Sequence, residues 1–262
     1  VVSVSTVDAQ ALQLQEQRLK VNEAEQNLRD FIPQYIAPAF IQKVTNTFWQ
    51  KLQQRQVIHN AVDSLQRDVL PFSYYSRLNE LLLEAMHVSL IQVPNIEMQR
   101  ELLSCLLLSE VKEEDGKARG ALNGVFASLF VDSGMFVQIE NYIMRSRSFL
   151  RQAELLLDEK SLHRLDEMRN TAIWIQIAEI HQEFIDKKGD LAAMSAVTPV
   201  QWFDLATQRI SMVKDVQDQA FIALQETLQK ERFMLLFELL IFVLVSIATA
   251  VMFQTSKKKD NS

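Results

Sequence analysis

Residues 233–253 read FMLLFELLIFVLVSIATAVMF, the longest apolar stretch in a chain of 262 residues. As a helix, these 21 residues would be about 31 Å long, which matches the roughly 30 Å hydrocarbon core of a bilayer. Lysines occupy positions 257–259, so the positive-inside rule places the C-terminus in the cytoplasm. We therefore expect an extracytoplasmic domain at residues 1–231, a transmembrane helix at 232–254 and a cytoplasmic tail at 255–262.

The composition of the rest of the chain favours helices. Only five glycines and five prolines occur, which is too little turn chemistry for a sheet-rich fold of this size. The formal net charge of −6 argues against a nucleic-acid-binding protein, which usually presents a basic face to phosphates. The single cysteine, Cys105, cannot form an intrachain disulfide and lies among leucines, which predicts a core position.

Apolar periodicity and helix-breaking residues predict a series of helices. Asn95 is a candidate N-cap and Gly116 a candidate break. The motif Thr198-Pro199-Val200-Gln201 indicates a strong helix start, and no breaker follows before Lys257, so one helix can run from the domain through the membrane. The expected helices lie at about residues 5–31, 39–70, 71–94, 95–108, 117–131, 135–157 and 161–186.

No pattern of catalytic or metal-binding residues is visible. The four histidines are dispersed, and Glu84 and His87 have a di-iron spacing that occurs only once, although such bundles need two copies. The sequence contains no phosphate-binding glycine loop and no nucleophile with a recognisable base. These observations predict a non-enzymatic protein without a metal or cofactor.

Arg209 has unusual surroundings on its predicted helix, whereas a group of three arginines on another helix has a more ordinary interpretation. Arg209 falls within an apolar stripe, four residues from both Leu205 and Val213, so it should face inward. Its guanidinium then needs either a buried ion pair with a glutamate on another helix or an anion from solution. A second group either lines an anion site or forms ordinary surface pairs; it comprises Arg145, Arg147 and Arg151.

Residues 112–120, KEEDGKARG, combine charges with a glycine stripe. Gly116, Gly120 and Gly124 recur every four residues and share one helical face, which permits close approach of either another helix or a ligand. Arg119 flanks this stripe, and Asp115, one turn earlier, offers it a surface salt bridge.

Three stretches together resemble the nitrate- and nitrite-sensing (NIT) domain family of bacterial chemoreceptors and sensor kinases. They are Phe72-Ser73-Tyr74-Tyr75-Ser76-Arg77-Leu78-Asn79, then Lys112-Glu113 with Gly116 and Arg119, then Trp202 with Thr207-Gln208-Arg209-Ile210. The resemblance covers roughly residues 12–217, and the K-E-x-x-G-x-x-R element is its most specific part. It implies an all-α fold of up-and-down bundles, two packed four-helix bundles sharing a long helix, in front of the transmembrane helix.

The resemblance also implies a ligand and a location. In the family, arginines from separate helices converge on the anion, and motif position carries that role onto Arg119 and Arg209. The implied ligand is nitrate or nitrite. The implied location is the bacterial inner membrane, with the bulk of the chain in the periplasm. The implied protein partner is a second copy of the chain or a partner membrane protein. The family's first helix carries an L-Q-x-E-R-G-like motif, which is not found in this sequence. We expect that this first helix either precedes Val1 or has been lost. Residues 14–18 resemble the helix that follows it in the family.

Two functions remain open at this point. The first is a sensory module in which a small oxyanion at Arg119 and Arg209 moves the last helix. The second is a non-enzymatic structural or adaptor subunit that uses a NIT-like fold without binding an anion. A cytoplasmic signalling region after Ser262 would favour the sensor, and a true end there would favour the adaptor.

Overall fold

The computed structural model describes residues 4–31, 38–64 and 71–260; at 233–260 and in parts of the first helix it describes the backbone alone. No strand occurs among these residues, so the expected all-α fold is confirmed. The helices are α1 (Val4–Phe31), α2 (Ala39–Leu52), α3 (Arg55–Asp63), α4 (Pro71–Ser89), α5 (Ile96–Ser128), α6 (Ser133–Glu154), α7 (Glu159–Arg169), α8 (Ala172–Asp186) and α9 (Pro199–Asp260). Short 3₁₀ turns lie at Leu90–Gln92 and Leu191–Ala193.

Helix α5 begins where the sequence predicts and ends later than expected. The side chain of Asn95 accepts hydrogen bonds from the backbone N–H groups of Glu97 and Met98, as an N-cap does. The break predicted at Gly116 is wrong, because α5 continues to Ser128. One helical glycine costs only about 1 kcal/mol relative to alanine, and burial of apolar residues on both sides of Gly116 offsets that cost.

Two other predicted helices are each divided into two. The segment expected at 39–70 breaks at Gln53 and Gln54, between α2 and α3. The segment expected at 161–186 breaks between α7 and α8, where the Thr171 hydroxyl accepts a hydrogen bond from Trp174 N–H and caps α8. A threonine that can cap a new helix competes with continuation of the old one, which explains the second division.

Helix α5 occupies the centre of the domain. It packs along α6 and α9 on one side and contacts α4, which in turn packs against α2. Arg18 on α1 makes a bidentate ion pair with Asp63 on α3, and this pair connects α1 to α3. The α5–α9 side contains fully buried Leu108, Leu122 and Ile177, among others. Each such side chain contributes roughly 1.5–3 kcal/mol of transfer free energy.

Helix α9 starts with the predicted capping box. Thr198 N–H donates to Gln201 Oε1 at 3.1 Å, and Gln201 N–H donates to Thr198 Oγ1 at 3.2 Å. The helix then runs for 62 residues without a break, which gives a length of about 93 Å. Where side chains are described, no helix is apolar over a long enough stretch to cross a membrane. The transmembrane prediction at 233–253 lies outside those residues.

Candidate functional site

Arg119 projects from α5 onto α9 and has no acidic partner in the part of the chain that the structure describes. Its Nη1 donates a hydrogen bond to Thr207 Oγ1 at 2.9 Å, and its guanidinium carbon lies 4.6 Å from the ring centroid of Phe203. Its Nε is buried and has no hydrogen-bond partner among the described residues. Burial therefore lowers the pKa of Arg119 without an opposing carboxylate. This half-buried cation could accept an anionic ligand.

The residues around Arg119 hold its helix tightly against α9. Trp202 Nε1 donates to the backbone carbonyl of Arg119 at 2.9 Å, and the Trp202 side chain is 1% exposed. The Thr207 hydroxyl donates to the carbonyl of Phe203, which leaves its oxygen lone pairs for Arg119. The orientation of Arg119 is therefore fixed by an aromatic anchor and a neutral hydroxyl.

Lys112, about two turns earlier on α5, is a second cation without a carboxylate within ion-pair distance among the described residues. Its Nζ donates to Gln217 Oε1 on α9. Burial, followed by the positive charge of Lys214, lowers the pKa of Lys112. A cavity of about 520 Å³ between α4, α5 and α9 is lined here by Lys112, Glu113 and Lys214, among others.

Arg209 faces inward, as predicted, and its anionic partner is an aspartate. Arg209 Nε lies 2.8 Å from Asp115 Oδ2, and the two side chains are only 6% and 4% exposed. Ser146 Oγ donates to the other Asp115 oxygen at 2.6 Å. The guanidinium of Arg209 also lies over the ring of Trp174, 4.2 Å from its centroid. The structure thus realises the buried ion pair, with Asp115 in place of the expected glutamate.

The salt bridge expected between Asp115 and Arg119 does not form. Asp115 is buried on the face of α5 that packs against α6 and α9, where Ser146 and Arg209 occupy both of its oxygens. Arg119 instead contacts Thr207 and Phe203. The two sequence-predicted arginines therefore share the α5–α9 interface, but they share no partner among the described residues.

The glycine stripe has mixed surroundings. A Cβ built on Gly120 would lie 3.1 Å from Cε2 of Phe72 on α4, so α4 does approach α5 closely at this residue. At Gly116 and Gly124 no atom lies within 4 Å of such a Cβ. Close helix packing therefore explains one glycine of the three.

A buried charge cluster on α5 was not anticipated from the sequence. Lys117 Nζ lies 3.3 Å from oxygens of Glu80 and Glu114 and 3.6 Å from Glu113. Arg145 on α6 also pairs with Glu114, at 3.3 Å. The spacing of Lys117 three and four residues after the glutamates was the available signal. Each cation of this cluster is paired with at least one carboxylate, so we interpret the cluster as a structural network.

The cysteine, the possible metal ligands and the tryptophans complete the description of the candidate residues. Cys105 is fully buried, and burial raises the pKa of its thiol to about 11. Within the described ranges, no group of three or more histidine, cysteine, aspartate or glutamate residues could hold a metal ion. Trp174 and Trp202 are buried, and Trp49 is half-buried against Phe48.

The described residues form an all-helical domain in which α5 carries two cations, Arg119 and Lys112, that have no carboxylate within ion-pair distance among those residues. The family described as nitrate and nitrite sensing matches residues 2–225, and the chain belongs to this NIT family. This confirms the resemblance read from the three motifs. No curated protein and no solved structure shows a significant match to the chain.

Proposed function

We propose that this NIT domain binds a small anion such as nitrate or nitrite, with Arg119 and Arg209 as ligand-binding residues. The observation that carries the proposal is the state of Arg119, a half-buried guanidinium whose only polar side-chain partner among the described residues is the neutral Thr207. Nitrate is planar, and a guanidinium can meet two of its oxygens with charge-assisted hydrogen bonds.

The contribution of Arg209 differs from that of Arg119. Asp115 already neutralises Arg209 through Nε, so an anion can reach only its Nη atoms. Among the described residues, none accepts a hydrogen bond from those atoms. We therefore expect Arg119 to contribute more of the ligand's binding free energy and Arg209 to contribute more of the domain's stability.

We further propose that the domain is anchored in the bacterial inner membrane and signals across it. Residues 1–231 would be periplasmic, 232–254 would span the membrane, and 255–262 would be cytoplasmic. The apolar run at 233–253, the following lysines and the unbroken helical backbone of α9 support this arrangement. Thr207 and Arg209 lie on α9, so an anion at the interface would act on the helix that leads to the membrane. A homodimer or a partner membrane protein would receive the movement.

Titration calorimetry tests the ligand. The full chain in mild detergent is titrated with nitrate, nitrite and chloride at constant ionic strength. We expect saturable heat with nitrate or nitrite, lost in Arg119→Gln because that residue supplies the charge-assisted bonds. Arg164→Gln, an exposed arginine on α7, is the matched control and should bind like the wild type. No heat from the wild type at millimolar anion would reject the sensor and favour the adaptor function.

A further inference from the structure

A second cavity, of about 360 Å³, lies among α6, α7, α8 and α9. Among the described residues, four arginines line it, and no aspartate or glutamate does. They are Arg147, Arg151, Arg169 and Arg209. Arg169 is paired with Glu154 and Arg209 with Asp115. The cavity therefore combines two neutralised and two unneutralised guanidinium groups.

The unneutralised pair are Arg147 and Arg151, one helical turn apart on α6. Among the described residues, the one hydrogen-bond partner of Arg147 Nη1 is the neutral Gln182, at 3.2 Å. Arg151 has no ion pair among the described residues. Burial, followed by the positive charge of Arg209, lowers the pKa of Arg147. Asp186, the nearest acidic influence on Arg147, accepts a hydrogen bond from Gln182 instead.

His181 also lines the cavity, and its buried Nε2 has no hydrogen-bond partner among the described residues. The rest of the cavity wall is apolar or aromatic and includes Leu150, Trp174 and Ala178, and the guanidinium of Arg209 lies over the Trp174 ring. The cavity volume lies at the lower end of the range for small-molecule sites, roughly 300–1,000 Å³. Cations arranged around an apolar wall match a ligand with charged ends and a carbon body.

We propose that this cavity binds a small organic dianion, a short-chain dicarboxylate, through Arg147, Arg151 and the Nη atoms of Arg209. Two negative charges balance the two arginines that lack acidic partners, and the carbon chain lies against Leu150 and Trp174. The site shares only Arg209 with the proposed nitrate site, and Arg119 does not line this cavity. A ligand here contacts α6 and α9 together, so it would stabilise their packing.

Succinate is the probe, added to the full chain in mild detergent at constant ionic strength. We follow tryptophan fluorescence, which Trp174 reports, and the midpoint of thermal unfolding. Succinate should bind saturably and raise the midpoint. Inorganic phosphate and propionate should each bind about tenfold more weakly or worse, because each lacks one of the two features, the carbon body or the second charge.

The double variant Arg147→Gln/Arg151→Gln should weaken succinate binding by about tenfold or more, since each lost charge-assisted bond is worth at least that factor. Both side chains reach the surface, so the variant should fold, and retained nitrate binding would confirm that it has done so. Arg164→Gln and Arg119→Gln should leave succinate binding unchanged. The proposal is overturned if the wild type shows no saturable response to succinate, if the double variant binds it like the wild type, or if Arg164→Gln weakens it equally.

Discussion

Arg119 and Arg209 carry the same charge at one helix interface, but their neighbours give them different roles. Arg209 is paired with a buried aspartate and stacked on an indole ring, whereas Arg119 contacts a hydroxyl and lies over the ring of a phenylalanine. Breaking a buried pair leaves an uncompensated charge, whereas removing an unpaired cation removes a desolvation cost. We expect the stability of the domain to depend on Arg209 and ligand binding to depend on Arg119.

Replacing Arg209 with methionine should destabilise the domain. Asp115 would remain buried without its counter-charge, and removing one partner of such a pair costs about 3–5 kcal/mol. The free energy of unfolding from urea titration measures the loss. Arg164→Met, which breaks only exposed contacts, should cost less than about 1 kcal/mol.

Adding Asp115→Asn to Arg209→Met should recover part of that loss, because no charge is then left buried. If the double variant loses the sum of the unfolding free energies that the two single variants lose, the ion pair does not couple these residues.

His181 should make the stability of the domain depend on pH. It is 4% exposed, and burial, followed by the charges of Arg209 and Arg147, holds its pKa well below the usual value. Below about pH 6.5 the imidazole of His181 is protonated in the unfolded chain but stays neutral in the folded chain. The stabilising contribution is thus complete above that pH and is lost as the pH falls, by up to about 1.4 kcal/mol per unit.

Urea titrations at pH 7 and pH 5 measure this effect. The difference between wild type and His181→Gln isolates it, since burial raises the pKa values of Glu110 and Glu113 and these groups act in the opposite direction. The exposed His163, replaced in the same way, is the control. An equal loss of stability in wild type and His181→Gln would contradict the assignment.

At the scale of the element, α5 decides the arrangement of the domain. One face contacts α4 through Gly120, another holds Asp115 against α6 and α9, and Arg119 reaches Thr207. Its continuity through Gly116 keeps these groups in one fixed register. A break at that glycine would have separated Asp115 from Arg119 and uncoupled the two ends of the interface.

Local signals of the helix ends could be predicted, and long-range partners could not. Asn95 and Thr198 cap their helices because the necessary side chains lie within three residues of the groups they satisfy. The inward direction of Arg209 followed from its place in an apolar stripe. The choice of Asp115 as its partner joins residues 94 positions apart, and nothing local distinguishes Asp115 from the other acidic residues nearby.

Alanine substitutions along the glycine stripe should separate helix propensity from packing. Gly116→Ala places a methyl group in open space, so we expect a gain of up to about 1 kcal/mol in stability. Gly120→Ala must displace the ring of Phe72, so its gain should be smaller or reversed. Thermal unfolding of both variants measures the difference. Equal gains would show that α4 does not pack closely on Gly120.

At the scale of the whole molecule, α5 and α9 are joined along their shared length. Trp202 and Thr207 hold α9 to Arg119, Gln217 bonds Lys112, and Thr227 donates to Glu101 near the start of α5. These contacts connect two long helices along one interface. They support the proposed coupling between an anion at Arg119 and the C-terminal part of α9, which we propose to span the membrane.

Hydrogen–deuterium exchange with and without nitrate tests this account most directly. The full chain in detergent is compared in nitrate and in chloride of equal ionic strength. We predict slower amide exchange in nitrate on α5 at residues 116–123 and on α9 at residues 203–210, and no such protection in Arg119→Gln. Identical exchange of these segments in the two salts, or equal protection in Arg119→Gln, would contradict an anion site at this interface.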